Sequence, residues 1–155
     1  TEVMIKTRVA YGAVTEDLRL LSQSYKEAKM ALDVGAIFYS EKTIMAYDSL
    51  GIGRLIYQLP VNLCKIFVEE VFGEEMPEEV DEEVIGTVNA FLDNNFNVSE
   101  TARQLYIHRN TLGYRIEKLK QSTGLDVREF NDALTFRIAL MVVNYVKFVE
   151  EKEKI

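Results

Sequence analysis

The sequence predicts a mainly α chain: a short α+β portion, then a helical domain carrying a helix-turn-helix. Three observations predict this. Apolar residues recur at three- and four-residue spacing through most of the chain. Two brief runs near the N-terminus read as strands instead. Two capped helices joined by a tight turn lie between residues 97 and 121.

The elements follow in order. Val3, Ile5 and Val9 alternate with polar neighbours as in a strand, and Tyr11-Gly12 punctuates the run. Thr15-Glu16-Asp17-Leu18 offers a helix start, with Thr15 as N-cap and acidic residues in the first turn. Leu18, Leu21, Tyr25, Ala28 and Leu32 then mark one apolar face, Tyr25 is expected in the core, and Gly35 is the expected stop. Thr43 to Tyr47 reads as a second strand. Leu55, Ile56 and Leu59 lead to Pro60, placed for the first turn of a helix carrying Leu63, Phe67 and Val71, with Cys64 in its core.

Residues 74–81, with Pro77 and a run of carboxylates, make the best linker. The expected division is therefore 1–73, then a helical domain at 82–150 and a tail at 151–155. In that domain Val84, Val88, Phe91 and Leu92 form an amphipathic helix ending near Asn95. Asn97-Val98-Ser99-Glu100 resembles a capping box, and a short helix with Ala102 and Leu105 follows it. The next helix runs from about Arg109 to Gln121 and stops at Gly124. Asn131 to Phe148 is a long helix, apolar on nearly every side, that is either the centre of the domain core or partly a subunit interface.

Composition excludes several function classes. One cysteine, Cys64, permits no internal disulfide and no cysteine-only zinc site, and one histidine, His108, leaves a catalytic or metal cluster without members. No apolar run reaches the roughly 18–20 residues of a membrane span. A cytoplasmic protein is expected, without metal, cofactor or enzymatic activity. The net charge of −7 argues against nucleic acid only until it is resolved along the chain. Residues 1–94 carry a net of −9, whereas 95–124 set Arg103, Arg109, Arg115, Lys118 and Lys120 against Glu100 and Glu117, a net of +3.

On a helical wheel Leu112, Ile116 and Leu119 share one stripe of the Arg109–Gln121 helix, while Asn110, Tyr114, Glu117 and Gln121 point away. Arg and Asn pair bidentately with guanine and adenine edges, and the helix start is the end that enters a major groove. Arg109, Asn110 and Tyr114 are therefore the expected base contacts. Thr111, Arg115, Lys118 and His108 are expected nearer the phosphates, His108 either as N-cap or as phosphate contact. Gly113 leaves room for close approach. Glu117 either accepts from a cytosine or stays solvated.

The strings Asn97-Val98-Ser99-Glu100-Thr101-Ala102-Arg103-Gln104-Leu105 and His108-Arg109-Asn110-Thr111-Leu112-Gly113-Tyr114-Arg115-Ile116 resemble the C-terminal DNA-binding domain of PucR/CdaR-type bacterial transcription regulators. Thr123-Gly124-Leu125-Asp126 and the helix after it follow the same layout. Upstream, Ser24-Tyr25-Lys26-Glu27-Ala28 and Tyr47-Asp48-Ser49-Leu50-Gly51 resemble the end of the GGDEF-like domain that precedes it in that family. The resemblance implies a sequence-specific regulator of double-stranded DNA acting as a homodimer. Any small-molecule effector would act through a sensor domain absent here, and the chain reads as a fragment. The alternative is a helical interaction or dimerisation module with weak or no DNA binding. No Gly-Gly-Asp-Glu-Phe string occurs, so cyclic-dinucleotide synthesis has no support.

Overall fold

A computed structural model describes residues 7–73 and 82–154. Among these residues two strands, β1 (Val9–Tyr11) and β2 (Ile44–Ala46), and seven α-helices follow one another: α1 (Leu21–Phe38), α2 (Gly51–Tyr57), α3 (Val61–Phe72), α4 (Glu82–Asp93), α5 (Val98–Gln104), α6 (Arg109–Thr123) and α7 (Phe130–Glu153). The fold is mainly α, as expected. The proposed strand residues Val3 and Ile5 and the linker 74–81 lie outside the described residues. Contacts separate two compact units, one of residues up to Pro60 together with those from Lys147 onward, the other Val61–Val146. Among the described residues no helix is long and apolar enough to cross a membrane, and no cluster of His, Cys, Asp or Glu could hold a metal.

In the first unit β1 and β2 pair in parallel, Val9 beside Ile44 and Tyr11 beside Ala46, with α1 as the connection. The pleat sends Ala10 and Met45 toward α1, where Ala31, Val34 and Leu50 complete a small core. Val9, Tyr11 and Ile44 project from the other face and are exposed, although parallel sheets are ordinarily covered on both faces. Near the end of α7, the Lys152 Nζ lies 3.0 Å from the Asp33 carboxylate, which also accepts from the Tyr57 hydroxyl at 2.7 Å.

Four details of the chain correct the sequence reading. Asp17, not Thr15, caps the first turn, accepting from the Arg19 N–H; Thr15 Oγ1 instead accepts from Asp17 N–H. The buried face of α1 is Ala31, Val34 and Gly35, while Leu18, Leu21, Leu32 and Tyr25, at 65%, stay exposed. Periodicity reveals an apolar stripe but not which neighbouring stripe the sheet selects; here it selects the smaller side chains, which allow close approach. Gly35 does not end the helix, which continues to Phe38. A Cβ there would stand 2.6 Å from Cγ of Met45. Gly35→Ala is therefore expected to cost at least about 1 kcal/mol through overpacking, read as a lower urea midpoint. Finally, α3 of the second unit buries Cys64, Val68 and Val71, leaving Leu63 exposed and Phe67 part-buried.

The second unit has one core. Val88 and Phe91 of α4, Ala102 of α5, Leu112, Ile116 and Leu119 of α6, and Ala133, Phe136 and Leu140 of α7 meet in it, with Val127 from the loop between. Phe72 of α3 packs its ring edge-on to Phe136 at 5.7 Å. α7 buries eight residues between Ala133 and Val146 within the single chain, so its all-round apolar character needs no second subunit to explain it.

Candidate nucleic-acid interface

α5 begins where the sequence says it should. The Asn97 side-chain oxygen accepts from the Ser99 and Glu100 N–H groups at 3.0 and 3.1 Å, satisfying two otherwise orphaned donors. The reciprocal half of the capping box is not made. Glu100 turns instead to Arg103 one turn on, and the Asn97 N–H donates to the Asn94 carbonyl at 3.0 Å. Beyond α5, a turn at Leu105 to Ile107 leads to His108, whose Nδ1 accepts from the Asn110 N–H at 3.2 Å and caps α6. With its lone pair on Nδ1 used this way, the neutral ring carries its proton on Nε2, an outward-facing donor. Gly124 closes α6 in the left-handed conformation, φ 75°, with its N–H on the Lys120 carbonyl at 2.8 Å.

The wheel reading of α6 matches the burial. Leu112, Ile116 and Leu119 are buried, and Arg109, Asn110, Thr111, Gly113, Tyr114, Glu117, Lys118 and Gln121 are exposed. Tyr114 shows 69% of its surface. Asn110 and Tyr114 lie four residues apart, one turn along the same face. A Cβ on Gly113 would touch nothing, so packing does not require glycine there.

Charge on this face is more sparing than the residue count suggests. Arg115 is the residue whose surroundings differ most from expectation. Its side chain is only 23% exposed, and its guanidinium pairs with Glu83 and reaches Thr87 Oγ1 at 3.4 Å, joining α6 to α4. Arg103 is held by Glu100, and Lys120 by Asp126 at 3.1 Å. Among the described residues no ion pair engages Arg109 or Lys118. Those two cations, with Asn110, Tyr114, Thr111 and the Nε2–H of His108, are what the surface offers a polyanion.

Two participants went unnoticed in the sequence. Arg128 lies 3.5 Å from Glu117, offsetting the one carboxylate on the outward face, and forks onto Asp126 with both contacts at 2.7 Å. The Asp-x-Arg spacing was a visible signal, since Asp126 Oδ1 also accepts the Arg128 N–H as Asp commonly does two residues on. The Arg128 hydrogen bonds, aided by Lys120, hold the Asp126 carboxyl well below the usual range. Such a group stabilises the fold fully above an ordinary aspartate value of about 4, and the contribution fades as pH falls toward the depressed value. Asp126→Asn should lower the urea midpoint at neutral pH, with the gap to wild type narrower near pH 3; a gap that widens in acid would contradict this. The second participant, Tyr106, carries no sequence signal at all: it takes φ 55° in the turn before α6.

Comparison with known proteins bears on the same segment. The family model described as the PucR C-terminal helix-turn-helix domain matches residues 84–142, which span α4, α5, α6 and the first half of α7. The chain is 28% identical over 138 residues to the purine catabolism regulatory protein of Bacillus subtilis (strain 168), covering 87% of this chain and 26% of that protein. It is 26% identical over 138 residues to the carbohydrate diacid regulator of Escherichia coli (strain K12), covering 89% of this chain and 36% of that one. A solved structure, the regulator of polyketide synthase expression from Bifidobacterium adolescentis, matches at 23% identity and a TM-score of 0.45, over 79% of this chain and 50% of that chain. The chain thus spans between 26% and 36% of the length of these two curated relatives.

Proposed function

We propose that the chain, whose residues 84–142 match the family model described as the PucR C-terminal helix-turn-helix domain, is the DNA-binding portion of a bacterial, cytoplasmic transcriptional regulator. One observation carries the reading: α6 buries Leu112, Ile116 and Leu119 and turns Arg109, Asn110, Tyr114 and Lys118 to solvent, with the two cations uncommitted to any described carboxylate. In this proposal α6 enters the major groove. Arg109, Asn110 and Tyr114 read base edges, while Thr111, Lys118 and the Nε2–H of His108 meet phosphates. Arg115 keeps Glu83 and acts by fixing α6 on α4; the structural pairing supports that role over the phosphate contact expected from the sequence.

The first unit we read as the end of a GGDEF-like domain. The parallel β1–α1–β2 arrangement supports this, as does similarity to the regulators that extends well beyond residues 84–142. A homodimer would let two copies of α6 span half-sites about one DNA turn apart.

Fluorescence anisotropy against random duplexes, followed by sequencing of the retained fraction, tests the proposal. Each neutralised phosphate contributes about −0.9 to the slope of log affinity against log salt. Lys118, the one cation placed on a phosphate here, gives a slope of about −1 for one copy and about −2 for a dimer. Lys118→Ala should reduce the slope by about 1 per copy and weaken all duplexes alike. An enriched, two-fold-related motif supports the regulator. No binding at low salt would turn the reading toward an interaction module built on the first unit.

A further inference from the structure

Two helices of the second unit end in the same way, and the contrast between them singles out one residue. After α4, Asn95 and Phe96 take φ of 50° and 64°; the Asn95 N–H donates to the Leu92 carbonyl at 3.0 Å and the Phe96 N–H to the Phe91 carbonyl at 2.9 Å. After α5, Tyr106 takes φ 55°; its N–H donates to the Arg103 carbonyl at 3.1 Å and the Ile107 N–H to the Ala102 carbonyl at 3.0 Å. Both are the paired bonds that close a helix through a left-handed residue, a position glycine usually fills and asparagine tolerates. At the first turn Asn95 fills that position. The backbone of Phe96 beside it is left-handed too, but its ring packs edge-on against Phe91 at 5.6 Å and Phe130 at 6.4 Å, so the core offsets the strain.

Nothing offsets it at the second. Tyr106 is 96% exposed, and among the described residues its ring stacks on no other ring and its hydroxyl has no partner. A bulky aromatic in a glycine conformation, with no packing in return, is the kind of outlier that a binding surface retains. Its place is specific too: two residues before His108, the cap of α6, and three before the uncommitted Arg109. We propose that Tyr106 is a contact to the sugar–phosphate backbone of bound duplex DNA, its phenol O–H donating to a phosphate oxygen beside the point where α6 enters the groove. Tyrosine is a regular phosphate donor, and such a contact orients the protein without reading sequence. The inference rests on the DNA-binding reading above and adds to it a residue that pattern alone does not mark.

The test sets stability against affinity in the 155-residue chain. Tyr106→Gly and Tyr106→Phe are compared with wild type by urea unfolding, and by binding to the wild-type-selected motif and its single-base variants across a salt range. Tyr106→Gly should unfold at higher urea than wild type yet bind about three- to tenfold more weakly, by the same factor on every variant duplex. Tyr106→Phe should keep wild-type stability and share the loss. Unchanged affinity in Tyr106→Gly, with wild type binding normally, would overturn this inference and leave the DNA reading intact. A lower urea midpoint for Tyr106→Gly would also overturn it, because the ring would then be serving the fold. A wild-type chain that binds no duplex at low salt removes the DNA reading itself.

Discussion

Leu112→Ala should destabilise the second unit by about 2–5 kcal/mol, the range for truncating a fully buried leucine where the site cannot collapse. Leu112 is entirely shielded and shares one core with Val88 and Phe91 of α4, Ala102 of α5, Ile116 of α6 and Phe136 of α7. It is thus part of the core that α6 shares with α4, α5 and α7. Domains of this size hold only about 5–15 kcal/mol in total, so the variant should lose DNA affinity in proportion to the unfolded fraction. Leu112→Met conserves volume and should cost less than about 1.5 kcal/mol. Urea unfolding followed by circular dichroism separates the two, since the chain has no tryptophan to report. A loss under about 1 kcal/mol for Leu112→Ala would mean that α6 is not anchored by its inner stripe, and that its outward face is not fixed either.

The parts of the fold that local chemistry decides were legible in the residues. Asn97 as a cap, Gly124 as a terminator and the Leu112-Ile116-Leu119 stripe each depend on neighbours within a turn or two, and each is where the sequence places it. What distant partners decide was not legible. Arg115 looks like one more cation in a basic helix until Glu83, 32 residues earlier, is brought beside it. The face of α1 that packs was missed because Ala31 and Gly35 carry little hydrophobic signal, yet their small size is what admits Met45. Tyr106 was missed for a third reason. Its left-handed backbone follows from the hydrogen bonds that end α5, and a tyrosine gives no hint of it. Caps and stripes follow from short-range pattern; which cation remains free to meet a phosphate is a tertiary outcome.

Asn110→Ala tests whether the surface reads sequence as well as charge. The Asn110 side chain is exposed in the first turn of α6, and the His108 ring engages its backbone N–H rather than its amide. The substitution should therefore change folding stability by no more than about 0.5 kcal/mol. Binding is another matter. An asparagine that pairs bidentately with adenine through N6 and N7 contributes about 1–3 kcal/mol of discrimination against the wrong base. Affinities measured for the selected motif and every single-base variant should then flatten at one base pair and keep their order elsewhere. The salt slope should stay as in wild type, because no cation is removed. Lys118→Ala supplies the opposite signature, a uniform loss with a shallower slope. If Asn110→Ala instead weakens all duplexes by one factor, Asn110 orients the helix and the reading of bases falls to Arg109 and Tyr114 alone.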